Sequence, residues 1–332
     1  MLNKLKIILL SLSVVIMFTA SACWGSAKNV ALLIDGDPTL KGGFNYLCIS
    51  GLKHANERYP NKIVTKVFRA DNMTNMTAAD ATEAALKWSD LLIASSPVFT
   101  NYLSQAAPSY PNVTIISFDS EKAANIIRIN FRDEEGGFLA GALAAQYTQR
   151  TDAARANADK KIGIVLGVPS VAMDNFKRGF IAGAWYIDKS VKISVEYSND
   201  YQDGDNARRI ALKMVEDGAD VIFAVTGNAG RSIVEAAQSH NFWVIGVDSE
   251  EETRFPNAVL TSVVKRSGLA VYNVVERYIS RKKIDNISLG AREDCISLST
   301  WTRESRANIP ADIRKKMEEI DEKLEDGLII IK

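Results

Sequence analysis

Short apolar runs alternate with longer segments of helical periodicity along most of this 332-residue chain. The runs that predict strands fall into two series, at 29–34, 63–68, 90–94, 113–118 and 125–131, and at 161–166, 192–197, 221–225, 242–247 and 258–264. Strands separated by helices of ten or more residues form parallel sheets with right-handed crossovers. Two such series predict an α/β fold with two doubly wound parallel-sheet lobes. A charged amphipathic helix is expected at 311–326 and a final strand at 328–331.

The first residues have the composition of an export signal. Lys4 and Lys6 precede an apolar stretch at 7–18, and Ala20-Ser-Ala22 ends the stretch with small residues. Segment 1–22 is therefore a predicted signal peptide. Cys23 follows it, as in a bacterial lipoprotein signal, and predicts a lipid anchor that holds an exported body on the periplasmic or surface side of the cell membrane. Ala20 departs from the large aliphatic residue usual there, so cleavage after Ala22 without lipidation is the alternative.

Composition excludes several classes of function. Forty basic and forty acidic residues cancel, so the chain has no broad positive field for nucleic acid. Cys48 and Cys295 lie far apart without metal-ligand spacing, and two buried thiols are preferred to a disulfide. His54 and His240 have no partner pattern. We expect no metal, no cofactor and a monomer.

Several predicted strands run into polar residues at their carboxyl ends, where open α/β sheets bind ligands. These residues are Asp35, Asp119, Gly227-Asn228 and Asp248. A carboxylate there either caps a helix or accepts hydrogen bonds from a ligand. Phe44 and Asn45 begin the helix after the first strand, and they either line a ligand cleft or form a core ring beside a capping amide.

Six segments together are similar to the basic-membrane-protein type of substrate-binding lipoproteins, which includes purine nucleoside receptors of ATP-binding-cassette (ABC) importers. The segments are Gly43-Phe-Asn45, Ser117-Phe-Asp119, Glu135-Gly-Gly-Phe-Leu-Ala-Gly141, Asn175-Phe-Lys-Arg-Gly-Phe-Ile-Ala-Gly183, Trp243-Val-Ile-Gly-Val-Asp248 and Leu260-Thr-Ser-Val-Val-Lys265. Each is weak alone, but their order and spacing span the mature chain. The resemblance implies two lobes of the type I periplasmic-binding kind, joined by three hinge crossings.

Lobe boundaries follow from this resemblance. The N-terminal lobe is expected to comprise 29–130 and 264–290, and the C-terminal lobe 131–263 and 291–332. The hinge crossings are then expected near 130, 263 and 290.

The resemblance also implies roles for individual residues. Phe44 and Phe176 would stack on the two faces of a purine, and Asn45 and Asp119 would bind its polar edge. Asp248 and Lys265 would hold the ribose hydroxyls, and Asp35 and the backbone near Gly227 would assist them. Inosine, guanosine or adenosine is the expected ligand, and an ABC permease the expected partner. The alternative for Lys265 is a surface lysine with a buried stem.

Two loops depart from the family pattern. Leu40-Lys-Gly-Gly43 stands where the family has an acidic pair and a serine, and Gly227-Asn-Ala-Gly230 stands where it has a Gly-Gly-Thr-Gly run. A surface lipoprotein for adhesion or signalling, or a binding protein for another small ligand such as a sugar, is therefore an alternative. Catalysis is not expected, because the nearest acidic pair, Asp35-Gly-Asp37, precedes Pro38 and is typical of a turn.

Overall fold

Two six-stranded sheets form the framework of the computed structural model, which describes residues 26–70 and 76–332. The predicted signal peptide and Cys23 lie outside the described residues, as do residues 71–75.

The first sheet contains the predicted strands of the first series. Its strands are β1 Lys28–Asp35, β2 Ile63–Ala70, β3 Leu91–Ala94, β4 Thr114–Phe118, β5 Ile127–Phe131 and β11 Ile287–Leu289, in the order β11-β5-β4-β3-β1-β2 and all parallel. Its helices are α1 Phe44–Arg58, α2 Ala78–Trp88, α3 Thr100–Ala106 and α8 Ser267–Ile279. Strand β1, which lies between β3 and β2, is fully buried from Val30 to Ile34, because helices cover both faces of the sheet.

The second sheet repeats this arrangement. Its strands are β6 Lys161–Leu166, β7 Lys192–Tyr197, β8 Ala219–Val225, β9 Trp243–Asp248, β10 Val259–Lys265 and β12 Ile296–Leu298, in the order β12-β10-β9-β8-β6-β7. Its helices are α4 Asp133–Thr148, α5 Val171–Ile187, α6 Gly204–Glu216, α7 Gly230–Ser239, α9 Arg303–Asn308 and α10 Ala311–Glu325. Only β12 among these described strands runs antiparallel, against β10.

The predicted fold class, two α/β lobes with parallel sheets, is confirmed. In each lobe the strand order reverses beside the first strand, between β1 and β3 and between β6 and β8. Loops that follow neighbouring strands diverge at such a point and leave a crevice at the carboxyl edge of the sheet.

The chain passes between the lobes at three places within the described residues. One lies between β5 and α4, a second between β10 and α8, and a third between β11 and β12. We propose these three crossings as the hinge.

The prediction of a strand at 328–331 is wrong. A glycine in the left-handed conformation commonly ends a helix by turning the chain back, and here Gly327 has a φ of 69°, with Leu328 N–H donating to Lys323 O at 2.8 Å. Leu328 and Ile330 are 71% and 80% exposed, and within the described part of the chain this segment pairs with no strand. The three-residue strands β11 and β12 were not predicted, because such short runs carry little periodicity.

Candidate functional site

One cavity of about 660 Å³ lies at the carboxyl edges of both sheets, between the two lobes. Its lining includes every residue that the sequence assigned to ligand binding: Asp35, Phe44, Asn45, Asp119, Phe176, Gly227, Asp248 and Lys265. The structure brings these eight residues together at one place. Their contacts with a ligand remain a prediction.

The start of α1 is fixed to the first sheet by Asn45. Its amide donates to the backbone carbonyl of Asp35, and its Oδ1 accepts from Ser95 Oγ at 3.0 Å. Gly43, in extended conformation, occupies the position before the helix and makes no side-chain cap. Asn45 is therefore not a helix cap. It joins α1 to the ends of β1 and β3, with part of its hydrogen-bonding capacity already used.

The two predicted stacking rings come from different lobes. Phe44 is half-buried and meets Phe131 edge-on, with ring centroids 6.3 Å apart. Phe176, in α5, is only 2% exposed and meets Phe223 edge-on at 5.8 Å. The Nζ atom of Lys265 lies 5.0 Å from the Phe44 centroid and 5.8 Å from the Phe176 centroid, so both rings border the same region. Each ring also packs into the core of its own lobe.

Lys265 is buried, so the alternative of a surface lysine is wrong. Its Nζ lies 2.8 Å from Asp119 Oδ2 and 2.9 Å from Oδ1 of Asp133, the first residue of α4. Burial alone would lower the pKa of Lys265, but the charges of Asp119 and Asp133 outweigh it and raise this pKa above its ordinary value. One N–H group of Lys265 donates to Asp119, and the ammonium also forms an ion pair with Asp133, so the charge of Lys265 is already compensated before a sugar binds.

Asp119 is held on both oxygens. Oδ1 accepts from the Phe131 backbone N–H at 2.8 Å, and Oδ2 faces the Lys265 ammonium. Its φ of 48° is left-handed, a conformation that Asp adopts more readily than most residues. Sequence reasoning missed the third member, Asp133, because an acidic residue at a helix start is already explained by the helix dipole.

Three carboxyl groups of the cavity have raised pKa values. Burial raises the pKa of Asp248 to about 6, although Lys265 opposes the shift, and burial raises the pKa of Glu251 to about 7. Burial also raises the pKa of Asp35, whose Oδ2 accepts from Ser96 Oγ at 3.1 Å. Glu251 was missed from the sequence. The acidic run at 250–252, just after Asp248, was the available signal.

The acidic pair considered for catalysis forms a turn. Asp37 accepts from the backbone N–H and the hydroxyl of Thr39, at 3.0 and 2.7 Å. Among the residues that the structure describes, no group of three or more His, Cys, Asp and Glu could hold a metal ion. Cys48 and Cys295 are free and buried, and burial raises the pKa of Cys48 to about 12.

The two lobes are also joined beside the cavity through the loops that depart from the family pattern. Arg254 Nη1 donates to the Lys41 carbonyl at 2.8 Å, and Asn228 Nδ2 donates to the Asp37 carbonyl at 3.3 Å. Both bonds connect the loop between β1 and α1 with the second lobe.

Comparison with known proteins identifies the family. A family model described as "ABC transporter substrate-binding protein PnrA-like" matches residues 27–332. The chain belongs to this family. The resemblance inferred from the six sequence segments is therefore confirmed, and membership of the PnrA-like family identifies the chain as a substrate-binding protein of the ABC transporter type.

Relatives and solved structures agree with this membership. The chain is 31% identical over 290 residues to basic membrane protein B of Borrelia garinii subsp. bavariensis, covering 83% of this chain and 82% of that protein. A solute-binding protein from Aeropyrum pernix superposes with a TM-score of 0.80 at 21% identity, covering 91% and 92% of the two chains. The Caulobacter myo-inositol binding protein superposes with a TM-score of 0.62 at 16% identity, covering 88% and 98%. These two structures support the fold alone. No helix in the described part of the PnrA-like chain is long and apolar enough to span a membrane.

Proposed function

We propose that this protein captures a purine nucleoside between its lobes and delivers it to an ABC permease. The observation that supports the proposal is the cavity lined by Phe44 from one lobe and Phe176 from the other, together with several carboxyl groups. A purine has two apolar faces and a polar rim. Aromatic rings stack on such faces, and each contributes about 1 kcal/mol beyond the area it buries.

The second lobe provides the main acceptor for a sugar. Asp248 ends β9 and lines the cavity. One carboxylate can accept charge-assisted hydrogen bonds from both hydroxyls of a vicinal diol. Because Lys265 is engaged by two carboxylates, we assign the sugar contacts mainly to Asp248, with Asp35 and the backbone at Gly227 as further partners.

Capture follows from the position of the cavity. A ligand that contacts both lobes at once stabilises the closed arrangement over the open one, so binding and hinge closure are coupled. We further propose that the mature protein is exported, carries lipid on Cys23, and acts as a monomer on the periplasmic or surface side of the cell membrane.

A binding protein for a free sugar is the second candidate. The acidic lining supports it, because carboxylates also bind the hydroxyls of sugars, and the myo-inositol binding protein shares the fold. A surface lipoprotein without a ligand is less well supported, because it gives no reason for one cavity to unite all eight predicted residues.

Calorimetry on the chain from residue 24 onward tests the proposal. Inosine, guanosine and adenosine are titrated beside their free bases, ribose and myo-inositol. Each nucleoside should bind at least tenfold more tightly than its free base or ribose. Chromatography should recover the bound nucleoside unchanged. Tighter binding of ribose or myo-inositol would favour the second candidate, and release of free base would reveal catalysis.

Substitutions then locate the site. Phe44→Ala and Asp248→Asn should each weaken nucleoside binding by about tenfold or more, through loss of stacking and of a charge-assisted bond. Tyr102→Ala is the control, because Tyr102 is 41% exposed in α3 and does not line the cavity. If both cavity variants bind the nucleoside as tightly as wild type, the nucleoside does not bind in this cavity.

A further inference from the structure

Basic side chains gather at the end of the first lobe that lies opposite the cavity. They come from the starts of β1 and β2 and the ends of α1 and α8, and all are exposed. These residues, called the basic end below, are Lys28, Arg58, Lys62, Arg277, Arg281, Lys282 and Lys283. The stretch from Arg277 to Lys283 contains no acid. The charges of the chain cancel overall, but they do not cancel here.

Contacts around Tyr59 join the segments of the basic end. Tyr59 follows α1, and its hydroxyl donates to Glu276 Oε1 of α8 at 3.0 Å. The guanidinium carbon of Arg58 and the Nζ atom of Lys62 each lie 5.8 Å from the Tyr59 ring centroid. The backbone N–H of Lys28 donates to the Lys62 carbonyl at 2.8 Å. The starts of both strands and the ends of both helices therefore form one surface.

The loop after α8 is fixed to the same surface. Arg277 Nε donates to the Lys283 carbonyl at 3.1 Å, which folds the loop back against the helix. The Tyr278 hydroxyl donates to the Asp90 carbonyl at 3.3 Å, and the Asp90 carboxylate lies 3.0 Å from Lys28 Nζ. The bases of the loop therefore lie beside the start of β1.

Acids neutralise the basic end only in part. Asp90 is paired with Lys28, and Asp285 lies 2.6 Å from Lys283 Nζ. Among the residues that the structure describes, the side chains of Arg281 and Lys282 form no ion pair. The acids on these segments and the neighbouring turn are Glu57, Asp90, Glu276 and Asp285, fewer than the bases. An exposed surface with excess cations attracts an anionic partner.

The proposed lipid anchor indicates which anionic partner this is. Cys23 precedes Lys28 by five residues, and five residues of fully extended chain span at most about 18 Å. Lipid on Cys23 would therefore keep the basic end close to the headgroups of the bilayer. Trp24 lies in the same short link, and tryptophan is enriched at membrane interfaces.

We infer that the basic end is a docking surface for anionic lipid headgroups and holds the first lobe against the bilayer beside the anchor. The choice of partner rests on the proposed lipid anchor. A lipid chain combined with a basic patch binds a membrane more stably than the lipid chain alone. Docking also orients the cavity. The eight residues of β1 run from Lys28 to Asp35 in the cavity lining, which lies about 23 Å away and stays clear of the lipid.

Vesicle flotation with the unlipidated chain from residue 24 onward tests the inference. One set of vesicles is pure phosphatidylcholine, and the other contains about 30% phosphatidylglycerol, which is anionic. At about 20 mM salt the partition coefficient should be at least tenfold higher for the anionic vesicles, and at about 300 mM salt most of this difference should disappear.

A double variant locates the surface. Arg281→Gln with Lys282→Gln removes two unpaired charges and should lower the partition coefficient for anionic vesicles about tenfold. Lys189→Gln with Lys192→Gln is the matched control, because both lysines are exposed near the start of β7 in the second lobe. The control should stay within about twofold of wild type, although its net charge changes equally. Thermal unfolding checks that both double variants are folded.

The outcomes separate this inference from the proposed function. Equal partition of wild type into the two kinds of vesicle overturns the inference, and so does an equal loss in the two double variants. Nucleoside binding is measured without vesicles. A chain that binds nucleoside but not anionic vesicles therefore overturns docking alone, and a chain that binds anionic vesicles but no nucleoside supports docking and contradicts the proposed function.

Discussion

Lys265, Asp119 and Asp133 form a buried cluster of one cation and two carboxylates at the junction of the lobes. Asp133 is fully buried; burial raises its pKa well above the ordinary value, and the nearby Lys265 opposes the shift. Removal of one partner from such a cluster leaves an uncompensated buried charge, which costs several kcal/mol. Loss of binding in a Lys265 variant would therefore not show ligand contact, and Phe44 and Asp248 are the more informative positions.

Asp321 in α10 is a half-buried carboxyl; the charge of Arg266 lowers its pKa, but by less than burial raises it. Its Oδ1 has no hydrogen-bond donor among the described residues, and burial, with the nearby Glu325, raises its pKa to about 7. Because this pKa lies above the usual value of about 3.9, the folded state holds the proton longer than the unfolded state. Stability is therefore lost as pH rises between those values, and the full cost is present above pH 7.

Asp321→Asn removes this ionisation. We expect the variant to gain about 1–2 kcal/mol in free energy of unfolding at pH 8, with the gain shrinking as pH is lowered to 5. Urea unfolding at both pH values measures it. A variant that is less stable than wild type at pH 8, or a gain that grows on acidification, would contradict the expectation.

At the scale of secondary-structure elements, glycines set the distance between α4 and α5. A Cβ on Gly179 would lie 2.0 Å from Glu134 O, and one on Gly183 would lie 2.0 Å from Phe138 O. On the facing helix, a Cβ on Gly141 would lie 2.0 Å from Phe180 O. The two backbones touch directly, and this contact fixes the helix that presents Phe176 to the cavity.

Gly183→Ala should destabilise the fold by about 2–4 kcal/mol, although alanine is the better helix former, because neither backbone can give way cheaply. Thermal unfolding is the measurement. Arg178→Ala, in the same helix with a side chain 45% exposed, should change stability by less than about 0.5 kcal/mol. Equal stability of the two variants would mean that α4 and α5 can separate without cost.

The regular elements were predictable and the exact side-chain pairing was not. Continuous apolar runs such as Val30–Ile34 of β1 predict buried parallel strands. The polar residues that end these runs predicted a ligand site at the carboxyl ends of the strands. The pairing of Lys265 with Asp133 joins residues far apart in the chain and depends on how two lobes meet. Leu328 and Ile330 look like strand residues, but a strand needs a neighbouring edge, which local sequence cannot provide.

At the scale of the whole molecule, the lobes meet beside the cavity through few polar contacts. Arg254 reaches the Lys41 carbonyl, and Asn228 reaches the Asp37 carbonyl. Hydrogen bonds of this kind can break and re-form when the lobes separate and rejoin, and relative motion of this sort is the usual behaviour of linked domains. The strength of these bonds then influences how long a ligand is retained.

Arg254→Ala should speed dissociation of the nucleoside about fivefold with little change in its association rate, because the lost bond acts only when the lobes are together. Stopped-flow displacement measures both rates. Arg231→Ala is the matched control: both guanidiniums lie over the Phe255 ring, at 4.5 Å for Arg231 and 5.6 Å for Arg254, but Arg231 pairs with Glu235 in its own helix. If both variants release the ligand at the wild-type rate, retention depends on the ligand's own contacts with the two lobes and not on the bond between Arg254 and Lys41.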